Sequence, residues 1–406
     1  MLPSGWEVKT IGDIAKVASG GTPSRANEKY FNGSIPWVTT TEVKFNVITD
    51  TKQKITEVGL KNSAASIFPS GTILMAMYGQ GKTRGQIAKL AIDAATNQAC
   101  AAILLKKNHE AEYYYQFLQS QYENIRGLSN AGGQKNLSST LIKSIPVPVP
   151  PLPEQIKIAQ ILSVWDTAIA TSQQCITNSQ QQKKALMQQL LTGQKRLADF
   201  SGAWQNHYLN KVAKIIVSPV DKKIEANELQ VELCNYTDVY YNTRITKKIV
   251  FMKATAKPSE IERFSLQVGD VLITKDSETP GDIAVPALVS ESLNNVLCGY
   301  HLAIIRPNKI MVDGAYLSYL FSMQKTRYYF FTLATGATRF GLSVGAIENA
   351  HFRLPKLEEQ QKIAAILSTA DREIAALQQQ HRHLTLEKKA LMQQLLTGKR
   401  RVKVDA

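Results

Sequence analysis

The 406-residue chain carries a formal net charge of +15, with 44% hydrophobic and 20% charged residues. That balance fits a folded chain with material for roughly two to four domains and excludes a disordered or low-complexity one. No apolar run approaches the ~20 residues that cross a bilayer and no basic-then-apolar leader opens the chain, so no membrane partner is expected. The charge excess is spread, at +6 over residues 1–149, +3 over 150–198, +2 over 199–354 and +4 over 355–406. Such a distribution suits a polyanion touched along its length rather than through one basic tail. Cys100, Cys175, Cys234 and Cys298 are dispersed with no CxxC pair. They read as reduced, mostly buried thiols of a cytoplasmic protein.

Residues 1–149 read as one mixed α/β globule. Trp6 to Ala18 carries a short helix or strand signal, Gly20 to Ser24 a turn, and Ile35 to Thr41 a β-rich run. Thr72 to Met77 reads as a buried strand feeding the loop Tyr78 to Gly85, and Ala99 to Leu105 as a second core strand. Glu112 to Tyr122 is aromatic-rich and helical in pattern, followed by the polar loop Ala131 to Leu137.

Pro146, Pro148, Pro150, Pro151 and Pro153 then predict a stiff extended linker, because proline cannot occupy a helix interior. Residues 150–198 follow as a spacer helix opening at Glu154, favourable in a first turn. Its apolar seam steps by four and three through Ile158, Leu162, Trp165, Ile169, Ser172, Ile176, Ser179, Lys183, Leu186 and Leu190, the pattern of a coiled coil. Gly193 is the C-cap candidate, and the helix from Glu154 to Thr192 spans about 58 Å at 1.5 Å per residue.

Residues 199–354 echo the first globule loosely, and residues 355–406 repeat the helix almost unchanged. KKALMQQLLTG occurs at Lys183–Gly193 and again at Lys388–Gly398, an offset of 205 that also aligns Glu154 with Glu359 and Asp166 with Asp371. The second seam reads Ile363, Leu367, Ala370, Ile374, Leu377, His381, Leu384, Lys388, Leu391 and Leu395. The order is therefore globule, helix, globule, helix, a tandem duplication with near-identical helices and diverged globules. Connectivity predicts an antiparallel coiled coil related by a pseudo-two-fold axis. It also places Gly398 against Trp6 as Gly193 lies against Trp204. The polar seam members are read as setting the register.

No catalytic constellation emerges. Ala76 to Thr83 fits a relaxed P-loop pattern, but Gly85 interrupts the helix such a site needs and Asp93 lies too close to serve Mg²⁺. His381 and His383 point to different sides of a helix, and Glu387-Lys388-Lys389 is a helical charge cluster. What remains are polar, basic loops. Tyr78, Gln80, Lys82, Thr83 and Arg84 with Gln134, Lys135 and Asn136 are the DNA-binding candidates of the first globule, and Thr39 to Thr41 a weaker set. Lys275, Asp276, Ser277 and Thr279 with Thr338 and Arg339 are those of the second. Side chains of these types read base edges and hold phosphates, although any one polar loop residue can equally be an ordinary tip. A coiled-coil adaptor with protein-binding globules is the competing reading, and a P-loop NTPase the third.

The layout, the KKALMQQLLTG repeats and the helix starts Pro-Pro-Leu-Pro-Glu-Gln and Pro-Lys-Leu-Glu-Glu-Gln resemble the specificity (S) subunit of type I restriction-modification enzymes. GTILMAMYGQGKTRGQIA (71–88) with TNQACAAI (96–103), and GDVLITKDSETPGDIAVPALV (269–289) with CGYHLAIIRP (298–307), are similar to its target-recognition domains. The resemblance implies an α/β (α+β) fold with two target-recognition domains separated by two paired helices. It also implies a non-catalytic subunit bound to double-stranded DNA and to two methyltransferase (M) subunits, and through them to restriction (R) subunits. S-adenosylmethionine, ATP and Mg²⁺ would belong to those partners, with no cofactor or metal in this subunit. Each domain would read half of a bipartite target, asymmetric because the globules differ.

Overall fold

The apolar seams close as two long helices, Leu152–Leu191 and Leu357–Leu395. The computed structural model describes residues 3–79, 82–128 and 136–404. Met1–Gln174 with Gln378–Ala406 forms one compact unit, and Cys175–Leu377 forms the other. Each unit thus holds one globule and a stretch of both helices.

In the first unit a five-stranded sheet runs in the order Ala15–Ser19, Cys100–Leu105, Ile73–Ala76, Ile87–Leu90, Asn46–Ile48, antiparallel except for its last pair. The second unit repeats it as Ala213–Val217, Leu302–Pro307, Val271–Thr274, Pro286–Val289, Arg244–Ile245, again with only the last pair parallel. Register repeats with order: Ile103 faces Ile73 in one sheet and Ile305 faces Val271 in the other. These central strands are apolar on both faces, which is why they read as continuous hydrophobic runs. The satellite sheets differ. A four-stranded sheet includes Phe31–Val38 in the first unit, and a three-stranded one is centred on Leu229–Cys234 in the second.

Two segments depart from their sequence reading. Trp6 to Ala18 is neither one helix nor one strand. It is strand Glu7–Thr10, a single helical turn Ile11–Ile14 and strand Ala15–Ser19, the turn being stapled by Asp13 accepting from the Thr10 amide at 2.8 Å. The proline-rich linker is also a paired strand, since Pro146–Val149 lies antiparallel to Glu7–Thr10. Prolines at alternate positions leave the Val147 and Val149 amides free for one edge, so an isolated pair can form where an inner strand could not.

The helix ends are part of the globular cores. Ile158, Ala159 and Leu162 join Met392, Leu395 and Leu396 in the core of the first unit. Leu190 and Leu191 join Ile363, Ala364 and Leu367 in that of the second. Here the buried face is wider than the seam because each helix touches a globule as well as its neighbour. Leu391 and Leu186 pack half-buried against these cores, and away from them the seam is half-buried at Trp165, Ile169, Ile374 and Leu377. In both units partner numbers fall as helix numbers rise, so the helices pair antiparallel. Asp166 meets Lys388 and Ser172 meets His381 in one; in the other Lys183 meets Asp371, and Arg196, just past the first helix, meets Glu359. Gly193 at φ +74° lies against Trp204, and Gly398 at φ +72° lies against Trp6 and Pro3, the left-handed caps that favour glycine.

Cys100, Cys234 and Cys298 are buried, whereas Cys175 is exposed on the first long helix. Burial pushes the Cys100 thiol up to about 12 and raises Cys234 and Cys298 as well. Iodoacetamide should therefore modify Cys175 in the native protein and reach the other three only in denaturant, as peptide mass spectrometry would read. Labelling of Cys100 at the native rate of Cys175 would contradict the sheet core described above.

Candidate nucleic-acid interface

Both sets of candidate loops gather at the same place in their units, the C-terminal end of the central strand of the five-stranded sheet. In the first unit the chain leaves Ile73–Ala76 at Met77, whose carbonyl accepts from the Leu137 amide at 3.0 Å. That bond brings Asn136, half-buried, to the base of the loop that carries Tyr78, Lys82, Thr83 and Arg84. Gln80, Gln134 and Lys135 lie outside the described residues. Tyr78 and Lys82 are exposed, while Thr83 and Arg84 are half-buried. The loop is braced from below. Arg84 donates to the Arg126 carbonyl at 2.8 Å, and Tyr122 donates its hydroxyl to the Lys82 carbonyl at 2.5 Å. Gly79, at φ +136°, allows Thr83 to close over it, since a Cβ there would meet the Thr83 side chain at 2.8 Å. Lys82 and Thr83 sit in a turn that leads into strand Ile87–Leu90, so no helix begins where a P-loop would need one. Thr39 and Thr41 bond each other at 2.8 Å, and Thr39 also caps against Glu42.

In the second unit Lys275 to Thr279 is less of a tip than its composition implies. Asp276–Ser277 pairs antiparallel with Phe340–Gly341, which brings Arg339 and Thr338 beside it across more than sixty residues of sequence. Ser277 is buried, its hydroxyl shared with Tyr236 at 3.1 Å and with the Thr279 amide at 3.2 Å. Lys275 and Asp276 are half-buried and joined at 2.8 Å through both carboxylate oxygens. Thr279, Thr338 and Arg339 are exposed. The ribbon explains this difference: a polar stretch looks like a free loop until the strand that covers it is known.

Sequence reasoning passed over His301, Tyr236 and Tyr122, which the fold carries to these sites. His301 Nδ1 lies 3.4 Å from Asp276 and its Nε2 lies 3.2 Å from Arg339. Tyr236 stacks on Tyr240 with ring centroids 5.5 Å apart. His301 ends the turn that leads into the strand Leu302–Pro307, a position that carries no local signal of a site.

In each unit the globule is bolted to the helices by bonds that follow the 205-residue repeat. Glu154 accepts from both Trp6 Nε1, at 3.1 Å, and Arg401; Glu359 accepts from Arg196 at 2.7 and 2.8 Å. Gln155 Oε1 caps the Glu110 amide at 2.9 Å, and Gln360 Oε1 caps the Asp313 amide at 3.0 Å. Asp166 binds Lys388 and Gln116, each at 2.6 Å, whereas Asp371 binds Lys183 and, at 2.6 Å, Tyr319. Helix partners are thus kept in both copies while globule partners change.

Among the described residues no group of His, Cys, Asp and Glu is arranged to hold a metal ion, and no helix is long and apolar enough to cross a membrane. The chain is similar to known proteins over its whole length. The type I restriction enzyme MjaIX specificity subunit of Methanocaldococcus jannaschii is 33% identical over 176 residues, 41% of this chain and 39% of that protein's length. The putative type I restriction enzyme MjaX specificity subunit of the same organism is 26% identical over 99% of this chain and 95% of its own length. The structure of the type I restriction-modification system S subunit from M. genitalium shares the fold, with a TM-score of 0.59 at 14% identity over 96% of each chain. The family model for the type I restriction modification DNA specificity domain matches residues 3–178 and again 204–387, so the chain belongs to that family and carries its domain twice.

Proposed function

We infer that this chain is the non-catalytic subunit that gives a type I restriction-modification complex its DNA sequence preference. Residues 1–149 and 199–354 act as two target-recognition domains, each reading one half of an asymmetric bipartite site. Residues 150–198 and 355–406 are the paired spacer helices that set the distance between half-sites and dock two methyltransferase subunits. The observation that carries this reading is the contrast between copies. The bonds that Glu154 and Asp166 make to Arg401 and Lys388 recur at Glu359 and Asp371 with Arg196 and Lys183. The loops at the equivalent strand ends share almost no residues. Identical faces suit one partner bound twice, and unlike loops suit two different half-sites.

DNA contact in the first domain is assigned to Tyr78, Lys82, Thr83, Arg84 and Asn136, with Gln80, Gln134 and Lys135 on the same loops. In the second it is assigned to the ribbon and turn carrying Lys275, Asp276, Ser277, Thr279, Thr338 and Arg339. Restriction subunits join through the methyltransferases, and the methyl donor S-adenosylmethionine, ATP and Mg²⁺ are handled by those partners in the cytoplasm. Footprinting of the complex with its methyltransferase subunits tests the reading. Two protected half-sites flanking a sequence-tolerant gap are expected, with binding falling steeply as salt rises because phosphate contacts release counterions. One continuous protected block, or binding indifferent to salt, would favour the protein-adaptor reading.

A further inference from the structure

At the tip of the second globule four side chains form a chain of alternating donors and acceptors. Lys275 holds Asp276 at 2.8 Å, Asp276 faces His301 Nδ1 at 3.4 Å, and His301 Nε2 faces Arg339 at 3.2 Å. A guanidinium has only donors, so the Arg339 contact makes His301 Nε2 the acceptor. The ring proton then sits on Nδ1 and points at the Asp276 carboxylate. The imidazole is neutral in this arrangement, and the Lys275 charge is already met by Asp276. Arg339 therefore carries the unmet positive charge of the chain. It is exposed, with one N–H committed to His301 and its others available.

Backbone geometry points the same way. Gly336, at φ +143°, turns the chain so tightly that a Cβ would lie 1.9 Å from the Arg339 carbonyl. A Cβ on Gly341 would lie 2.8 Å from Asp276 Oδ1. Two glycines thus let the ribbon close on the carboxylate and present Arg339 at its end. An arginine held by one edge at a fixed angle suits an acceptor pair lying side by side in a plane. In the major groove that acceptor pair is the O6 and N7 of guanine. A phosphate can engage the same fork, and the two are told apart by whether one motif position or binding at every site is lost.

We propose that Arg339 reads a guanine in the half-site of the second domain and that His301, backed by Asp276, is the positioning residue that aims it. This rests on the DNA-specificity reading above and names one base within it. The test is to map the methylated motif on genomic DNA, using the full chain assembled with its methyltransferase subunits. The wild-type motif should be bipartite, and Arg339→Ala should leave every position intact but one. At that position a guanine requirement should relax by roughly 5- to 150-fold, the discrimination of one good bidentate contact. His301→Leu should relax the same position. His301→Gln, whose amide can both accept from Arg339 and donate to Asp276, should keep the wild-type motif. A uniform loss of methylation at all sites with Arg339→Ala would make this residue a phosphate contact and overturn the proposal. So would an unchanged motif, or relaxation at a base other than guanine. Loss of the whole motif with His301→Gln would overturn the positioning role. A wild-type motif in one block would instead defeat the bipartite reading on which the proposal stands.

Discussion

Replacing Arg196 with methionine should destabilise the second unit by about 3–5 kcal/mol, the usual consequence of stripping the partner from a buried charge. The Glu359 side chain is only 2% exposed, and Arg196 grips both its oxygens at 2.7 and 2.8 Å. Methionine keeps most of the stem that lies over Trp204, where the guanidinium carbon sits 5.6 Å from the ring, so the loss reports charge more than packing. Hydrogen exchange should show it as faster opening of Ala213–Val217 and Leu302–Pro307, with Ala15–Ser19 in the first unit unaffected. Adding Glu359→Gln should recover part of the loss, because an uncharged amide tolerates the missing arginine better than a carboxylate does. A change below about 1 kcal/mol would place the pair among ordinary surface ion pairs.

That pair also shows what the sequence could and could not disclose. The repeat marks Glu154 and Glu359 as equivalent, and the apolar period places Ile158, Leu162, Ile363 and Leu367 on buried faces, because both are properties of neighbouring residues. Their cationic partners lie beyond the cap glycines and across 163 or 247 residues, where no local pattern reaches. The seam period marks Lys183 and Lys388 as polar members, read as setting the register, but not their carboxylate partners, the two aspartates that repeat at the same offset. The proline stretch read as a linker because extended geometry is local and pairing is not. For the same reason Lys275 to Thr279 read as a bare tip although Phe340–Gly341 covers one edge. His301 was invisible as a site residue because a histidine after a turn resembles any other. Its role depends on Asp276 and Arg339, which come from two other segments.

Inserting one heptad at Cys175 and another at Gln380 should lengthen the gap between half-sites while leaving both half-sites unchanged. These positions are equivalent under the 205-residue offset and lie outside the buried core clusters that anchor the helix ends. Seven residues preserve the phase of the seam and add about 10.5 Å of helix, or roughly three base pairs of duplex. A heptad in only one helix should abolish methylation. Asp166–Lys388 and Lys183–Asp371 fix the partner of each helix at two places, and an insertion on one side cannot satisfy both. The charge mismatch would then leave Lys388, nearly buried with its side chain 7% exposed, without a carboxylate. Motif mapping of the three variants separates the possibilities. If the doubly extended chain keeps the original gap, the helices do not measure it. If the singly extended chain works as well as wild type, the paired aspartates and lysines do not fix the register.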